Sequence, residues 1–271
     1  MPLKIGSFLG DFESSRQHAM HGIRIWRSGG GQSHPEDVDT PAVGCLCHVA
    51  FSEWHLGEIA SCQAKLDEAV SLAKELKDMH ALAIALNWAA ILAANEGNPA
   101  EVDRLASDLI ELSTRHNFSH WLATGAIWRG WARSASGDTA DGIPWIEQGI
   151  ADIRATGTVL GLPSQLARKA EALHLADRTS EALEAITEAE VLAERFEQRY
   201  WCAELRRLRG VFLATLGAEE SQIEDSFCAA VRNAKEQKSV SLENRAEATY
   251  AEYRRQKASV SGGRGFRLPL W

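Results

Sequence analysis

The sequence lacks most features that would place it in a membrane or outside the cell. Its 271 residues contain no apolar run near the roughly 20 residues that span a bilayer, and the N-terminal stretch turns acidic too early for a signal peptide. The five cysteines stand as Cys45-x-Cys47 and three isolated residues, which fits neither a disulfide framework nor zinc-ligand spacing. We therefore expect a cytoplasmic protein that does not contact a membrane.

Sequence motifs for catalysis are missing as well. The chain has no G-x-x-x-x-G-K-[ST] loop, no H-E-x-x-H, no G-x-S-x-G and no glycine-rich dinucleotide fingerprint. His116 and His120 are four residues apart, but no third ligand is near them in sequence, so a metal site is not expected there. The formal net charge of −8 argues against nucleic acid as the main partner. We predict a protein that is not an enzyme and needs no cofactor or metal.

A fixed period is present instead. The turn-forming residues Gly57, Gly97, Gly137, Asp177 and Gly217 follow one another at intervals of forty residues. The stretch before Gly97 is rich in alanine and leucine, the best helix formers, and Asn98-Pro99 after it is typical of a helix start. Each of the five positions is therefore predicted to be the left-handed turn of a helical hairpin.

Small residues recur at matched positions on both sides of these turns. Seven residues before the turns stand Ala50, Ala90, Gly130, Ala170 and Gly210, and twelve residues after them stand Ala69, Leu109, Gly149, Ala189 and Ala229. Small side chains let paired helices approach closely, and this spacing is typical of tetratricopeptide repeats, whose usual period is about 34 residues. HEAT and armadillo repeats, with a longer period, are the rival architecture. The small residues favour an all-α, tetratricopeptide-like α-solenoid, a right-handed superhelix of antiparallel hairpins.

The pattern also predicts how the chain is divided. One repeat domain covers residues 1–257, and a flexible C-terminal tail covers residues 258–271. Within the domain we expect, in order, a partial first unit at 1–27, a loop at 28–40, five hairpins at about 41–237, and a capping helix at 239–257. An incomplete end that exposes a stacking face would permit a homodimer.

Three segments carry a family resemblance. WHLGEIASCQAKLDEAVSLAKEL (54–76), HNFSHWLATGAIWRGWARSASGD (116–138) and RYWCAELRRLRGVFLATLG (199–217) resemble the C-terminal tetratricopeptide arrays of large bacterial signalling ATPases. The resemblance implies a docking or sensor array from bacterial signal transduction. It carries over no active-site residue, because the cyclase-like and NTPase domains of that family are not in this sequence.

The first helices of the hairpins are expected to form a concave groove that binds a helix or extended peptide of a protein partner. The groove is predicted to be apolar and aromatic, with Phe51, Trp54, Ile91 and Trp131 as anchors. The alternative is that these side chains simply pack inside the array, as we expect for Trp88, Trp121, Trp128 and Trp201. The predicted partner-binding residues are Phe51, Trp54, Asn87, Ile91, Asn95, Trp131 and His174.

A basic row supports a second hypothesis. Arg129, Lys169 and Arg209 each lie eight residues before a turn, so stacking would align them as an anion-binding ladder. The alternative is that carboxylates such as Glu171 or Glu204 pair with them. The function predicted first is a non-catalytic protein-interaction module in bacterial signalling. The second is a sensor for a nucleotide or metabolite.

Overall fold

The computed structural model describes residues 2–29, 40–259 and 266–271. Within these ranges the chain is helical, with thirteen α-helices, one short 3₁₀ turn at Arg199–Trp201 and no strand. The helices are α1 (Pro2–Leu9), α2 (Phe12–Ser28), α3 (Pro41–His55), α4 (Ile59–Glu75), α5 (Met79–Asn95), α6 (Pro99–His116), α7 (Ser119–Ala135), α8 (Thr139–Ala155), α9 (Leu162–Leu175), α10 (Thr179–Arg195), α11 (Cys202–Thr215), α12 (Glu220–Glu236) and α13 (Val240–Ser259).

The hairpin turns have the predicted left-handed conformation. Gly57, Gly97, Gly137 and Gly217 have φ between 65° and 100°, and Asp177 has φ of 59°. They join α3 to α4, α5 to α6, α7 to α8, α9 to α10 and α11 to α12. The tetratricopeptide-like α-solenoid predicted from the forty-residue period is therefore confirmed.

A second series of left-handed residues joins one hairpin to the next. Lys77, Asn117, Gly157 and Glu197 again follow at intervals of forty, with φ between 53° and 76°. Lys77 and Glu197 belong to residue types that rarely have a positive φ, so the sequence gave little sign of these two turns. Both kinds of turn thus repeat with the same period, and each hairpin is placed on its neighbour by the same backbone geometry.

The small residues hold the two helices of a hairpin close together, as predicted. A Cβ built on Gly130 of α7 would lie 2.5 Å from the carbonyl oxygen of Gly142 and 2.7 Å from Cγ1 of Ile146, both on α8. A Cβ on Gly149 would lie 2.6 Å from the carbonyl oxygen of Ala123. Glycine is required here because the two backbones are in direct contact.

The first helices of the units form an inner ring, and this ring closes on itself. Within it α3 contacts α5, α5 contacts α7, α7 contacts α9, α9 contacts α11 and α11 contacts α13. The last member, α13, then contacts α3. At this seam His55 Nδ1 lies 2.7 Å from Ser239 Oγ, and the Ser241 hydroxyl donates to the carbonyl oxygen of Trp54. The last helix of the array therefore contacts its first full hairpin. The expected homodimer stays a prediction.

The structure describes part of the predicted flexible tail, and that part is packed against the protein. Helix α13 continues to Ser259, residues 260–265 lie outside the described residues, and 266–271 pack against the ring. Leu268 and Leu270 are buried. The glycine-rich composition before them indicated a tail, but two leucines in six residues are enough to seat the segment once the ring provides an apolar surface. The predicted loop at 28–40 lies mostly outside the described residues.

No helix in the described ranges is long and apolar enough to cross a membrane.

Candidate functional site

Charged side chains meet at the axis of the inner ring, where the register of the first helices brings them together. Spacing of three residues puts Arg168 and Glu171 on one face of α9, and Glu204 and Arg207 on one face of α11. These residues, with Asn95 of α5 and Arg245 of α13, form what we call the axial network. All but Arg245, whose side chain is 15% exposed, are almost completely buried. Buried charges persist only when they are paired, and here Glu171 has one arginine partner and Glu204 has two.

Arg168 links three helices across the axis. Its Nη1 donates to Glu171 at 3.0 Å, and its Nη2 donates to Asn95 Oδ1 at 2.5 Å. The guanidinium carbon also lies 5.4 Å from the ring centres of both Trp131 and Trp201, within cation–π distance. The Nε of Arg168, the Nδ2 of Asn95 and the Nε1 of Trp201 are buried without a hydrogen-bond acceptor. The centre of the ring is therefore richer in donors than in acceptors.

Glu204 is the acceptor that two arginines share. Arg207 donates to it through Nη2 at 2.7 Å and Nε at 2.9 Å, and Arg245 donates through Nη1 at 3.3 Å. Burial by itself raises the pKa of this carboxyl, but the charges of Arg207 and Arg245 outweigh burial and hold the pKa at about 2. Glu204 is therefore ionised at neutral pH, and the axis depends on that charge.

Segment 266–271, which contains no helix or strand, crosses this axis. At one end the Gln256 side chain donates to the carbonyl oxygen of Arg267 at 2.6 Å and accepts from its N–H at 3.0 Å. In the middle, Arg207 donates to the carbonyl oxygen of Pro269 at 3.1 Å and to that of Leu270. At the other end the Trp271 ring packs edge-on against Trp131, with the ring centres 5.5 Å apart.

Trp271 also lies against the hairpin turn between α5 and α6. A Cβ on Gly97 would overlap the Trp271 ring, so a glycine is needed at this turn for contact as well as for its positive φ. The segment therefore reaches from α13, past α11, to α5 and α7.

The aromatic residues predicted for the groove do contact this axis, but they are buried. Trp131 Nε1 donates to Glu171 at 2.6 Å and Trp54 Nε1 donates to Glu96 at 2.5 Å, and each indole is only 1% exposed. Phe51 is buried against His55 and Trp88. The expected open groove is therefore closed in this structure. Arg245 of α13 lies over Trp54 and Trp271 lies against Trp131, whereas Phe51 is covered by Phe12 and Tyr200.

The remaining predicted partner-binding residues are divided between the axis and other positions. Asn95 belongs to the axial network. Asn87 is half-buried and accepts from Trp128 Nε1 at 2.9 Å, and Ile91 is half-buried against the core. His174 instead lies at 3.0 Å from the Thr179 hydroxyl of α10, and burial lowers its pKa. These residues do not form one continuous surface.

The basic row does not form a ladder of unpaired cations. Arg129 donates to Ser107 at 2.8 Å, Lys169 pairs with Glu147 at 2.8 Å and Arg209 pairs with Glu190 at 3.3 Å. Each partner lies on the second helix of the preceding hairpin.

The alternative of pairing with carboxylates is confirmed for Lys169 and Arg209. The expected carboxylates, Glu171 and Glu204, are wrong, because both belong to the axial network. Arg209 also lines an open cleft of about 790 Å³ that includes Arg206, and Glu190 holds both arginines.

Sequence reasoning missed Arg168, Arg207, Arg245 and the role of segment 266–271. The available signal was the pair of charges three residues apart on each of two first helices, at Arg168/Glu171 and Glu204/Arg207. Ordinary surface pairs have the same spacing, so only burial identifies these. Among the residues that the structure describes, no group of three histidine, cysteine or carboxylate side chains could hold a metal ion.

Comparison with known proteins places the chain by fold. No family model matches it. The uncharacterized protein R02095 of Rhizobium meliloti (strain 1021) is 25% identical over 207 residues, which cover 76% of this chain and 20% of that protein. The chain thus spans about a fifth of the length of this relative.

Two solved structures share the fold at low sequence identity. PlcR of Bacillus thuringiensis, solved in complex with the peptide PapR7 and DNA, has a TM-score of 0.57 and 16% identity, covering 84% of this chain and 77% of its own. The apo form of RapI has a TM-score of 0.57 and 14% identity, covering 96% of this chain and 100% of its own. Both likenesses support the helical-repeat fold.

Proposed function

We propose that this chain is a non-catalytic interaction module that binds an extended segment of a protein partner at the axis of its inner ring. The observation that carries the proposal is segment 266–271 itself, a peptide segment without helix or strand whose backbone and side chains are both bound there. Arg207 contacts two backbone carbonyl oxygens, which any peptide can offer. The aromatic surface at Trp131 adds a preference for an aromatic side chain.

The setting we propose is bacterial signalling in the cytoplasm, with the array acting as the docking part of a larger protein. The resemblance to tetratricopeptide arrays of signalling ATPases supports this. So does the match to the Rhizobium meliloti protein, which covers only 20% of that protein's length. PlcR, which shares the fold, was solved with a bound peptide. We retain protein rather than nucleic acid as the partner, since the net charge is −8 and the arginines at the axis are paired with carboxylates.

The test is a peptide-display selection on the purified chain, followed by mapping of the contact. Selected peptides are resynthesised with a photoreactive benzoylphenylalanine, and the labelled residues are identified by mass spectrometry. We expect labels on the inner ring, above all on α7, α9 and α11. The proposal would be contradicted if no peptide is enriched above background. It would also be contradicted if the labels are confined to the second helices, α4, α6, α8, α10 and α12.

A further inference from the structure

Segment 266–271 has the contact pattern of a bound extended peptide. Along an extended chain, successive side chains point to opposite sides, and here Leu268 and Leu270 are buried while Arg267 and Pro269 are exposed. The next residue, Trp271, is 38% exposed but contacts Trp131 with the edge of its indole. The inner ring of helices therefore buries two leucines of the segment and contacts one aromatic residue after them.

The backbone contacts of the segment do not depend on its sequence. Gln256 binds the N–H and C=O of one residue, and Arg207 binds the carbonyl oxygens of two later residues. A peptide from another protein could make the same four hydrogen bonds. The site thus combines backbone recognition with pockets for alternate side chains, which is the usual basis of specificity for extended peptides.

The ring holds its own charges in place without help from the segment. All five N–H groups of Arg207 are used, but only two of them serve the segment. The other three donate to Glu204 and to the Thr249 hydroxyl at 3.3 Å. Departure of the segment leaves the ion pair with Glu204 intact and frees two donors for another pair of carbonyl oxygens.

We propose that segment 266–271 is an internal competitor for the partner site. The partner then presents an extended segment of the same chemistry, with two leucines at alternate positions followed by an aromatic residue. This inference rests on the proposed function and specifies its partner. Binding of the partner displaces segment 266–271 from the axis, so the chain limits its own affinity until a competing segment is present.

The test uses the full chain and a fluorescein-labelled peptide of sequence FRLPLW, with binding measured by fluorescence anisotropy. The double variant Leu268→Ser/Leu270→Ser weakens the internal segment and changes no residue of the ring. Arg267→Ala is its matched control, because that side chain is exposed. We expect the double variant to bind the peptide about tenfold more tightly than the wild type or the control, since it no longer competes. The peptide FRSPSW should bind none of the three.

A second pair of substitutions locates the binding, each made in the double variant. Arg207→Lys keeps a positive charge beside Glu204 but loses the planar fork that reaches two carbonyl oxygens, so FRLPLW should bind about tenfold more weakly. Arg209→Lys, on the same helix but paired with Glu190, should leave binding unchanged. If circular dichroism shows that the double variant is unfolded, Leu270→Ala alone replaces it, with the same ranking expected.

Two results overturn the inference: no binding of FRLPLW to the folded double variant, or equal binding to wild type, control and double variant. The display selection tests the proposed function separately. If selected peptides label the inner ring while FRLPLW does not bind, the interaction module stands and the internal competitor is rejected.

Discussion

The contact between α7 and α8 and the axis of the inner ring are both closely packed, but opposite chemistry holds them together. In the hairpin, Gly130 and Gly149 bring two backbones into contact, and the residues involved are close in sequence. At the axis, two arginine–glutamate pairs lie within single helices, while Arg245 of α13 pairs with Glu204 of α11 and donates to the carbonyl oxygen of Asn95, 150 residues away. The hairpin is therefore a local unit, whereas the axis exists only when the ring has closed.

This difference matters for binding. A glycine-to-backbone contact leaves no room for a ligand, because any added atom overlaps the neighbouring helix. The axis instead offers directed donors and aromatic surfaces, and a peptide segment already uses some of them. Four predictions compare how much such contacts contribute to stability, beginning with the largest expected effect.

Glu204→Gln should break the axis while leaving the hairpins intact. It leaves Arg207 and Arg245 buried without their shared carboxylate, and loss of one partner of a buried pair costs about 3–5 kcal/mol. Urea unfolding measures the loss. Glu181→Gln, which removes the exposed carboxylate paired with Arg178, should leave the unfolding free energy unchanged. Equal stability of the two variants would show that the axial network does not stabilise the fold.

Gly130→Ala should break the hairpin without touching the axis. Its Cβ would overlap the carbonyl oxygen of Gly142 and the side chain of Ile146, so we expect a loss of about 3 kcal/mol in unfolding free energy. Gly44→Ala on α3 is the control, because nothing lies within 4 Å of its Cβ. Since alanine favours helix over glycine, the control should gain about 0.5–1 kcal/mol. A stable Gly130→Ala protein would mean that the helices can separate.

Lowering the pH should destabilise the contact between α3 and α13, because the buried His55 lies there. Burial, with a smaller effect of Arg245, lowers the pKa of His55 well below 6.5. The unfolded chain therefore binds a proton that the folded chain does not, and stability falls as pH drops below about 6.5, by up to ~1.4 kcal/mol per pH unit.

Urea unfolding between pH 7 and pH 5 measures this slope, and His55→Gln should reduce it. Burial also lowers the pKa values of His120 and His174, which will maintain part of the slope in the variant. An unchanged slope would remove His55 as a cause.

Lys169→Ala should have the smallest effect and would sharpen the contrast between inner and outer ion pairs. Lys169 and Glu147 are 28% and 44% exposed, so water screens their attraction and we expect a loss of about 0.5 kcal/mol or less. A loss near that of Glu204→Gln would mean that the basic row stabilises the array as strongly as the axis does.

The hairpins could be read from the sequence because their causes are local. Gly57, Gly97, Gly137 and Gly217 mark turns that need a positive φ, and the small residues at Gly130 and Gly149 mark close contact. The axis could not be read in the same way. Arg168 and Glu171 have the spacing of an ordinary surface pair, and their burial depends on helices from distant parts of the chain.

Trp54 and Trp131 show what the repeat pattern predicts and what only the tertiary structure decides. Their places in the first helices of the repeats predicted side chains on the concave side, and both are bonded to the next unit there. Their burial follows from α13 meeting α3 and from segment 266–271 lying across the axis, which the repeat pattern does not contain. The sequence by itself determined the period, the turns and the helix pairs, because backbone conformation and side-chain size act over a few residues. Only the tertiary structure decided that the ring closes and which charges meet inside it, because those contacts depend on the summed curvature of all the units.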